Sequence, residues 1–330
     1  MQTVKPVQDI LHVVTMISNP RRFRSRYALY NMFKDHMAKS HCVQLHTVEI
    51  AYGDREFELG EECIRLRTND ELWHKENALN IAISRLPSDW KYVAWIDADI
   101  QFTRPDWAIE TIHMLQHHPV VQPWTIANDL GPNYESFNSY KSFAFCYHES
   151  ISKFTSPEDK IILETNKNNC YYIPENIQHK THISWHPGYA WACTREAFDH
   201  LGGLMDFCVV GSADRHMAHA LIGNVESTME LDRENEHYLK LMKEWQNRAE
   251  KHIKRNIGYV NGTINHYWHG NKKSRRYHDR REIIYGNNFD PLYDIKKDYQ
   301  GLWQLTGDKI KLRDDLMHYF QIRNEDSIDN

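Results

Sequence analysis

The stretch YVAWIDADIQF, residues 92–102, closes an apolar run fit for a buried strand with two carboxylates, Asp97 and Asp99. A carboxylate at the edge of an apolar core needs a positive or hydrogen-bonding partner, because even a neutral polar group buried alone costs roughly 2–7 kcal/mol. In an extended segment residues i and i+2 face the same way. Asp97 and Asp99 are therefore expected to present oxygens to one point while Ala98 turns away.

Working outward from this stretch, ILHVVTMI (10–17) is rich in β-branched residues and stops at Ser18-Asn19-Pro20, the pattern of a strand running into a loop. FRSRYALYNMFKDHMAK (23–39) has Tyr27, Leu29, Tyr30 and Phe33 at helical spacing, and CVQLHTVEIAY (42–52) reads as a strand. DELWHKENALNIAISRLP (70–87) predicts a helix with Leu72, Ala78, Leu79, Ala82, Ile83 and Leu86 inward, ahead of the strand KYVAWID. DWAIETIHMLQHH (106–118) and VVQPW (120–124) continue as helix and strand. The alternation predicts an α/β fold with a doubly wound, mostly parallel sheet. Ligands of such sheets sit beyond the carboxyl ends of the strands, which is where Asp97 and Asp99 stand.

From about residue 128 to 185 the chain is polar and aromatic, with few long apolar periods, and reads as an acceptor-side insertion or lid. SWHPGYAWACTREAFDHLGGL (184–204) returns to strand and helix, and NEHYLKLMKEWQNRAEKHIKR (235–255) is an amphipathic helix. The expected organisation is one domain over 1–270, with a basic, helical C-terminal extension over 271–330 packed on it.

With 330 residues, 41% hydrophobic and 26% charged, the chain can build one large core, and its net charge of −5 argues against coating nucleic acid by bulk electrostatics. Six scattered cysteines without a C-x-x-C pair fit free thiols in a reducing compartment. No apolar run reaches the eighteen or so residues that span a bilayer, and no signal-like start is present, so a cytoplasmic protein is expected.

Two hard oxygen ligands suit Mg²⁺ or Mn²⁺, which keep positions open for water and phosphate oxygens. The competing reading has Asp97 and Asp99 capping a turn or pairing with an arginine such as Arg104. Placed after a buried strand, WIDADI resembles the Asp-x-Asp signature of nucleotide-sugar-dependent glycosyltransferases of the GT-A fold, of the galactosyltransferase and N-acetylgalactosaminyltransferase kind. SNPRRFRSR (18–26) is similar to the loop that meets the nucleotide in such enzymes, and KENALNIAI (75–83) to the helix ahead of Asp-x-Asp. GGLMDFCVVGSADRHMAHAL (202–221) resembles their acceptor and catalytic region, with Ala213 where several relatives are acidic, and INHYWHGNKK (264–273) their His-containing segment.

The resemblance implies a GT-A fold and a donor site drawn from Thr15, Ser18, Asn19, Arg21, Arg24, Lys75, Asn80 and Asp97. It implies a divalent metal, Mn²⁺ or Mg²⁺, held by Asp97 and Asp99 with His266 or His269 as a further ligand, and a UDP-sugar donor. Asp214, with Asp206 second, is the expected general base, each with helix capping as its rival role. Lys272, Lys273 and Arg276 belong to a basic run, 272–281, that reads as a clamp on the diphosphate, a solvated face or a contact for a phosphate-bearing acceptor. Trp185, His186 and Tyr189, around a Pro-Gly turn, are candidates to stack on an acceptor sugar, with core packing as the alternative. The acceptor is expected to be a hydroxyl on a glycan or, less readily, a modified nucleic acid. Competing functions are a metal-dependent nucleotidyl- or phosphotransferase, without a P-loop sequence to support it, and a non-catalytic carbohydrate- or nucleic-acid-binding module.

Overall fold

The computed structural model describes residues 9–153, 185–276 and 279–328. The first strand, β1 (Leu11–Ser18), is buried along almost its whole length, as a central strand covered on both faces must be. The chain leaves it at Asn19, whose amide bonds the backbone of Phe23 at both its oxygen and its nitrogen. That turn launches α1 (Arg24–Lys39), which buries Tyr30, Phe33 and Met37. β2 (Val43–Tyr52) pairs parallel with β1, and β3 (Ile64–Thr68) pairs parallel with β2. The sequence reading holds no strand at 64–68, where Ile64 and Leu66 alternate with arginines over too short a span.

The next helix, α2 (Lys75–Ser84), is shorter than the 70–87 predicted. Tertiary bonds hold its expected first turn out of the helix: the Trp73 amide donates to Val209 O at 2.9 Å, and Asp70 accepts from the Leu305 amide at 2.8 Å. β4 (Tyr92–Ile96) then runs parallel to β1, a turn carries Asp97, Ala98 and Asp99, and β5 (Ile100–Phe102) follows. After α3 (Trp107–Leu115) come β6 (Val120–Gln122), β7 (Ile126–Leu130), β8 (Ser136–Ser142) and α4 (Phe143–Lys153). Residues 128–153 of the segment read as an insertion thus fall largely in β7, β8 and α4, while 154–184 lie outside the described residues.

β9 (Trp185–His186) and β10 (Ala190–Thr194) are joined by Pro187, Gly188 and Tyr189. β10 departs from the parallel expectation. Ala190 pairs with Ile96 and Thr194 with Tyr92, so the strand enters at the carboxyl end of β4 and runs antiparallel. The turn after β9, a strand of the second sheet, delivers Ala190 beside Ile96, the last residue of β4, so β10 can only run back along β4. α5 (Arg195–Leu201), α6 (Ala213–Leu221), α7 (Glu236–His252), β11 (Ile257–Tyr259) and β12 (Thr263–His266) complete the part matched to the α/β domain.

Among the described residues the main sheet has the order β11-β6-β10-β4-β1-β2-β3, and a second sheet the order β5-β12-β7-β8-β9. The fold is therefore α/β with a central, mostly parallel sheet. One core joins the sheet to α2, α5, α6 and α7, the other to α1 and α3.

The remaining chain forms α8 (Glu282–Gly286), the hairpin β13 (Ile295–Lys297) and β14 (Trp303–Leu305), and α9 (Ile310–Ile322). The hairpin docks at the head of α2, where Asn77 Oδ1 accepts from the Trp303 amide at 2.9 Å. Beyond α9, Asp326 accepts from the amides of Arg24 and Ser25, both at 2.9 Å. The tail thereby caps α1, whose own cap residue Phe23 makes no side-chain bond.

Candidate active site

A cavity of about 750 Å³ opens beyond the carboxyl ends of β1 and β4, with Thr15, Ser18, Asp97 and Asp99 on its wall. The two aspartates lie in a turn rather than in extended backbone, so strict alternation does not hold and Ala98 also faces the cavity. Asp97 forms an ion pair with Lys75, the first residue of α2. Burial opposes the charge of Lys75, but Asp97, Glu76 and Asp214 outweigh it and hold the ammonium protonated. Burial pushes the Asp97 pKa up against the pull of Lys75, and the charge of Asp99 adds to the rise.

Asp99 has different company. His266 Nε2 lies 3.8 Å from its Oδ1 and His269 Nδ1 lies 3.6 Å from its Oδ2. Ligand atoms of Asp99, His266 and His269 all fall within 4.8 Å of one another, and Asp97 is outside that group. Asp99 Oδ1 is buried without a hydrogen-bond partner. Burial would raise the Asp99 pKa, but His269, His266, Arg275 and Lys75 prevail and lower it. His269 is pushed down to about 3 by burial and by Arg275, which leaves the neutral imidazole that ligates metals. A carboxylate with one orphaned oxygen, each of its oxygens near a different imidazole, is among the described residues a donor set that fits a divalent ion. Arg104 pairs instead with Asp106 at 2.7 Å, so it does not serve either aspartate.

The second sheet supplies a residue that the sequence reading did not single out. Asp129 of β7 is 2% exposed and accepts from His266 Nδ1 at 2.7 Å and from the Tyr189 hydroxyl at 2.9 Å, and it also pairs with Lys272. Burial would raise its pKa, but the bonds from His266 and Lys272 hold it far below the usual carboxylate range. Through Nδ1, Asp129 fixes the ring of His266 so that Nε2 faces Asp99, the carboxylate–histidine pairing that commonly orients metal ligands. Its signal in the sequence is alternation: Ala127 and Asp129 are the buried positions of IANDL. Glu76, 4% exposed and on the cavity wall, is a further such residue; burial raises its pKa to about 8, against Lys75.

Asp214 lies in the first turn of α6 and lines the cavity; its Oδ1 accepts from the Arg215 amide at 2.8 Å. The loop after β9 passes against it so closely that a Cβ on Gly188 would stand 2.5 Å from Asp214 Oδ2. Asp206 is elsewhere. It pairs with Lys297 at 3.0 Å, takes a weak bond from Asn77 at 3.4 Å, and is not part of the cavity wall.

Of the remaining candidates, Thr15 donates to Ile96 O at 2.7 Å and Ser18 bonds Tyr52 at 2.6 Å, both on the wall. Asn19, Arg21, Arg24 and Asn80 are not on it: Arg21 pairs with Glu71 at 2.9 Å, and Asn80 bonds Leu204 at 3.0 Å and 2.9 Å. Lys273 and Arg276 line the cavity, the latter paired with Asp279. Trp185 is 2% exposed and packs edge-on against Phe143, so most of it is core. His186 stacks on Tyr189 at 3.9 Å, and burial lowers its pKa to about 4. Tyr189 holds a positive φ of 71°, a strained value for an aromatic residue, which lets its carbonyl accept from the Asp97 amide at 2.8 Å while its hydroxyl reaches Asp129.

The C-terminal tail closes one side of the cavity. Glu325, 1% exposed, pairs with Arg26 at 2.5 Å and with Arg323 at 2.6 Å. Among the described residues Cys63, Cys193 and Cys208 are free thiols, and no helix is long and apolar enough to cross a membrane.

Residues 44–202 match the family model described as glycosyl transferase family 2. Among solved structures, the chain is similar to the catalytic domain of Drosophila β1,4-galactosyltransferase 7 in complex with xylobiose, at 13% identity and a TM-score of 0.31, over 68% of this chain and 63% of that one. A mutant of the same Drosophila enzyme, in complex with manganese, UDP-Gal and xylobiose, matches at 12% identity and a TM-score of 0.30, over 67% and 63%. The chain thus spans less than two thirds of these structures. No curated protein sequence matches. The resemblance to GT-A glycosyltransferases is borne out by the family match, and the α/β architecture accords with it.

Proposed function

We propose that this chain is a metal-dependent glycosyltransferase that moves a sugar from a nucleoside diphosphate, UDP by preference, to a hydroxyl acceptor. The observation that carries the reading is the group of Asp99, His266 and His269, backed by Asp129, on the wall of a cavity within the 300–1,000 Å³ range of small-molecule sites. The match of residues 44–202 to glycosyl transferase family 2 supports the same chemistry.

Asp99, His266 and His269 would hold the ion; two imidazoles beside one carboxylate suit Mn²⁺ better than Mg²⁺, which prefers oxygen ligands. When bound, a divalent ion supplies Lewis-acid stabilisation of the charge that develops on the departing diphosphate. Asp129 holds the His266 tautomer that leaves Nε2 unprotonated. Lys272, Lys273 and Arg276 provide charge-assisted donors for phosphate oxygens. Lys75 neutralises Asp97, which leaves Asp97 as a hydrogen-bond acceptor for the nucleotide rather than a metal ligand. Asp214 takes the proton of the acceptor hydroxyl, which predicts inversion at the anomeric carbon. His186 and Tyr189 give the acceptor side an aromatic face.

The test is calorimetric titration of UDP with and without Mn²⁺, on the wild type and on Asp99→Ala. Binding that needs both the metal and Asp99 is expected; binding indifferent to both would overturn the reading. Release of UDP from a UDP-sugar then separates this reaction from nucleotidyl transfer, which releases pyrophosphate.

A further inference from the structure

The cavity wall carries nine lysines and arginines against six aspartates and glutamates, although the whole chain is acidic at −5. Most of these cations have partners. Lys75 pairs with Asp97, Lys272 with Asp129, Arg276 with Asp279, and Arg26 and Arg323 with Glu325. Arg215 differs: among the described residues it forms no ion pair with a carboxylate, and its Nε is buried without a hydrogen-bond partner.

Its position is also wrong for stability. Arg215 is the third residue of α6, where the positive end of the helix dipole disfavours a cation. The helix begins after Gly211 and Ser212, both at positive φ (82° and 76°), and Ser212 provides no side-chain cap. Arg280, 7% exposed, donates to Ser212 Oγ at 2.8 Å and lies over the Trp73 ring at 5.5 Å. Burial and the charges of Arg281 and Arg280 all act against the charge of Arg215, and Asp214 and Tyr285 only partly oppose them. A helix start, a half-buried guanidinium unpaired among the described residues and the buried guanidinium of Arg280 therefore converge on one wall of the cavity. Local rules broken in this way are expected where a ligand repays the cost.

Arg215 follows Asp214 directly, about 100° further round the helix. Asp214 turns its Oδ2 toward Gly188, and both side chains line the cavity. We infer that the α6 wall, through Arg215 and Arg280, is an oxyanion subsite for the acceptor, so that the acceptor carries a phosphate, sulfate or carboxylate group close to the hydroxyl that is glycosylated. This rests on the reading of Asp214 as the base of a glycosyltransferase.

The test uses the full chain saturated with UDP and Mn²⁺, titrated with glucose 6-phosphate, glucuronate, inorganic sulfate and, as the neutral control, glucose. The anionic probes are expected to bind and glucose not. Arg215→Met should weaken the anions about tenfold, the worth of one charged hydrogen bond, and leave UDP binding unchanged. Arg215→Lys should recover part of the loss, and the Tm of each variant shows whether it is folded. Whichever of the phosphate- and carboxylate-bearing sugars binds better identifies the source of the oxyanion. Three outcomes overturn the inference: anions no better than glucose, equal anion affinity in Arg215→Met, or weaker UDP binding in that variant, which would assign Arg215 to the donor. Failure of the underlying glycosyltransferase reading shows separately, as UDP binding to the wild type that ignores Mn²⁺ before any sugar is added.

Discussion

Asp97 and Asp99 look equivalent in the sequence, yet their neighbours divide their work: a lysine neutralises the first, and two histidines face the second. Asp129 decides how one of those histidines is presented. Asp129→Asn keeps the size of the side chain but removes the charge on which His266, Tyr189 and Lys272 converge. Mn²⁺ affinity is expected to fall 10–100-fold, the usual effect of losing such a supporting carboxylate, and direct Mn²⁺ titration checks it. Asp214→Asn should retain Mn²⁺-dependent UDP binding while transfer falls by 10²–10⁴-fold, the typical contribution of a general base. Normal turnover in that variant would remove Asp214 from its role.

Glu76 gives a prediction about pH. Its pKa in the fold is about 8 because burial favours the neutral acid, whereas an unfolded glutamate titrates near about 4.3. Between those values the folded chain holds a proton that the unfolded chain has released, so its stabilising effect is full below pH 4.3 and is lost as pH rises to 8. Glu76→Gln should therefore gain stability over the wild type progressively from pH 5 to 8. Urea unfolding at several pH values measures this, and a constant difference across the range would contradict it.

At the scale of elements, the site depends on close backbone approaches that only glycine permits. Gly270, beside His269, has a φ of 90°, and a Cβ there would stand 2.7 Å from both Asn324 O and Glu325 Cα. Gly270→Ala is expected to cost about 1–3 kcal/mol through strain and displacement of the tail, seen as a lowered Tm and weaker Mn²⁺ binding. Helix α1 is capped by Asp326, some 300 residues away along the chain. Asp326→Ala should cost about 0.5–2 kcal/mol, the range for removing a cap, measurable by denaturant unfolding.

Across the whole molecule, the family match covers 44–202, yet His266, His269, Asp214 and the tail all lie beyond it. The C-terminal extension is thus part of the cavity rather than an accessory. Removing residues 323–330 takes away Glu325 and leaves Arg26 without its carboxylate. Because Arg26 is 27% exposed, the loss is less than the roughly 3–5 kcal/mol of breaking a fully buried pair. The truncated chain is expected to melt earlier and to lose UDP binding; unchanged binding would show the tail to be dispensable.

The sequence by itself determined most of the strands and helices around 10–124, though not β3, the long helix near 235–255, and the two neighbourhoods, 97–99 and 266–269, that the fold unites. These are local properties: apolar period, turn residues and the isolation of a charge in an apolar run. Only the tertiary structure decided that β10 runs antiparallel, that Asp129 stands behind His266, that Asp206 is spent on Lys297, and that Asp97 belongs to Lys75. Each of these is a pairing between residues far apart in the chain, and the choice of a charge's partner depends on distance in space, which spacing along the sequence does not encode.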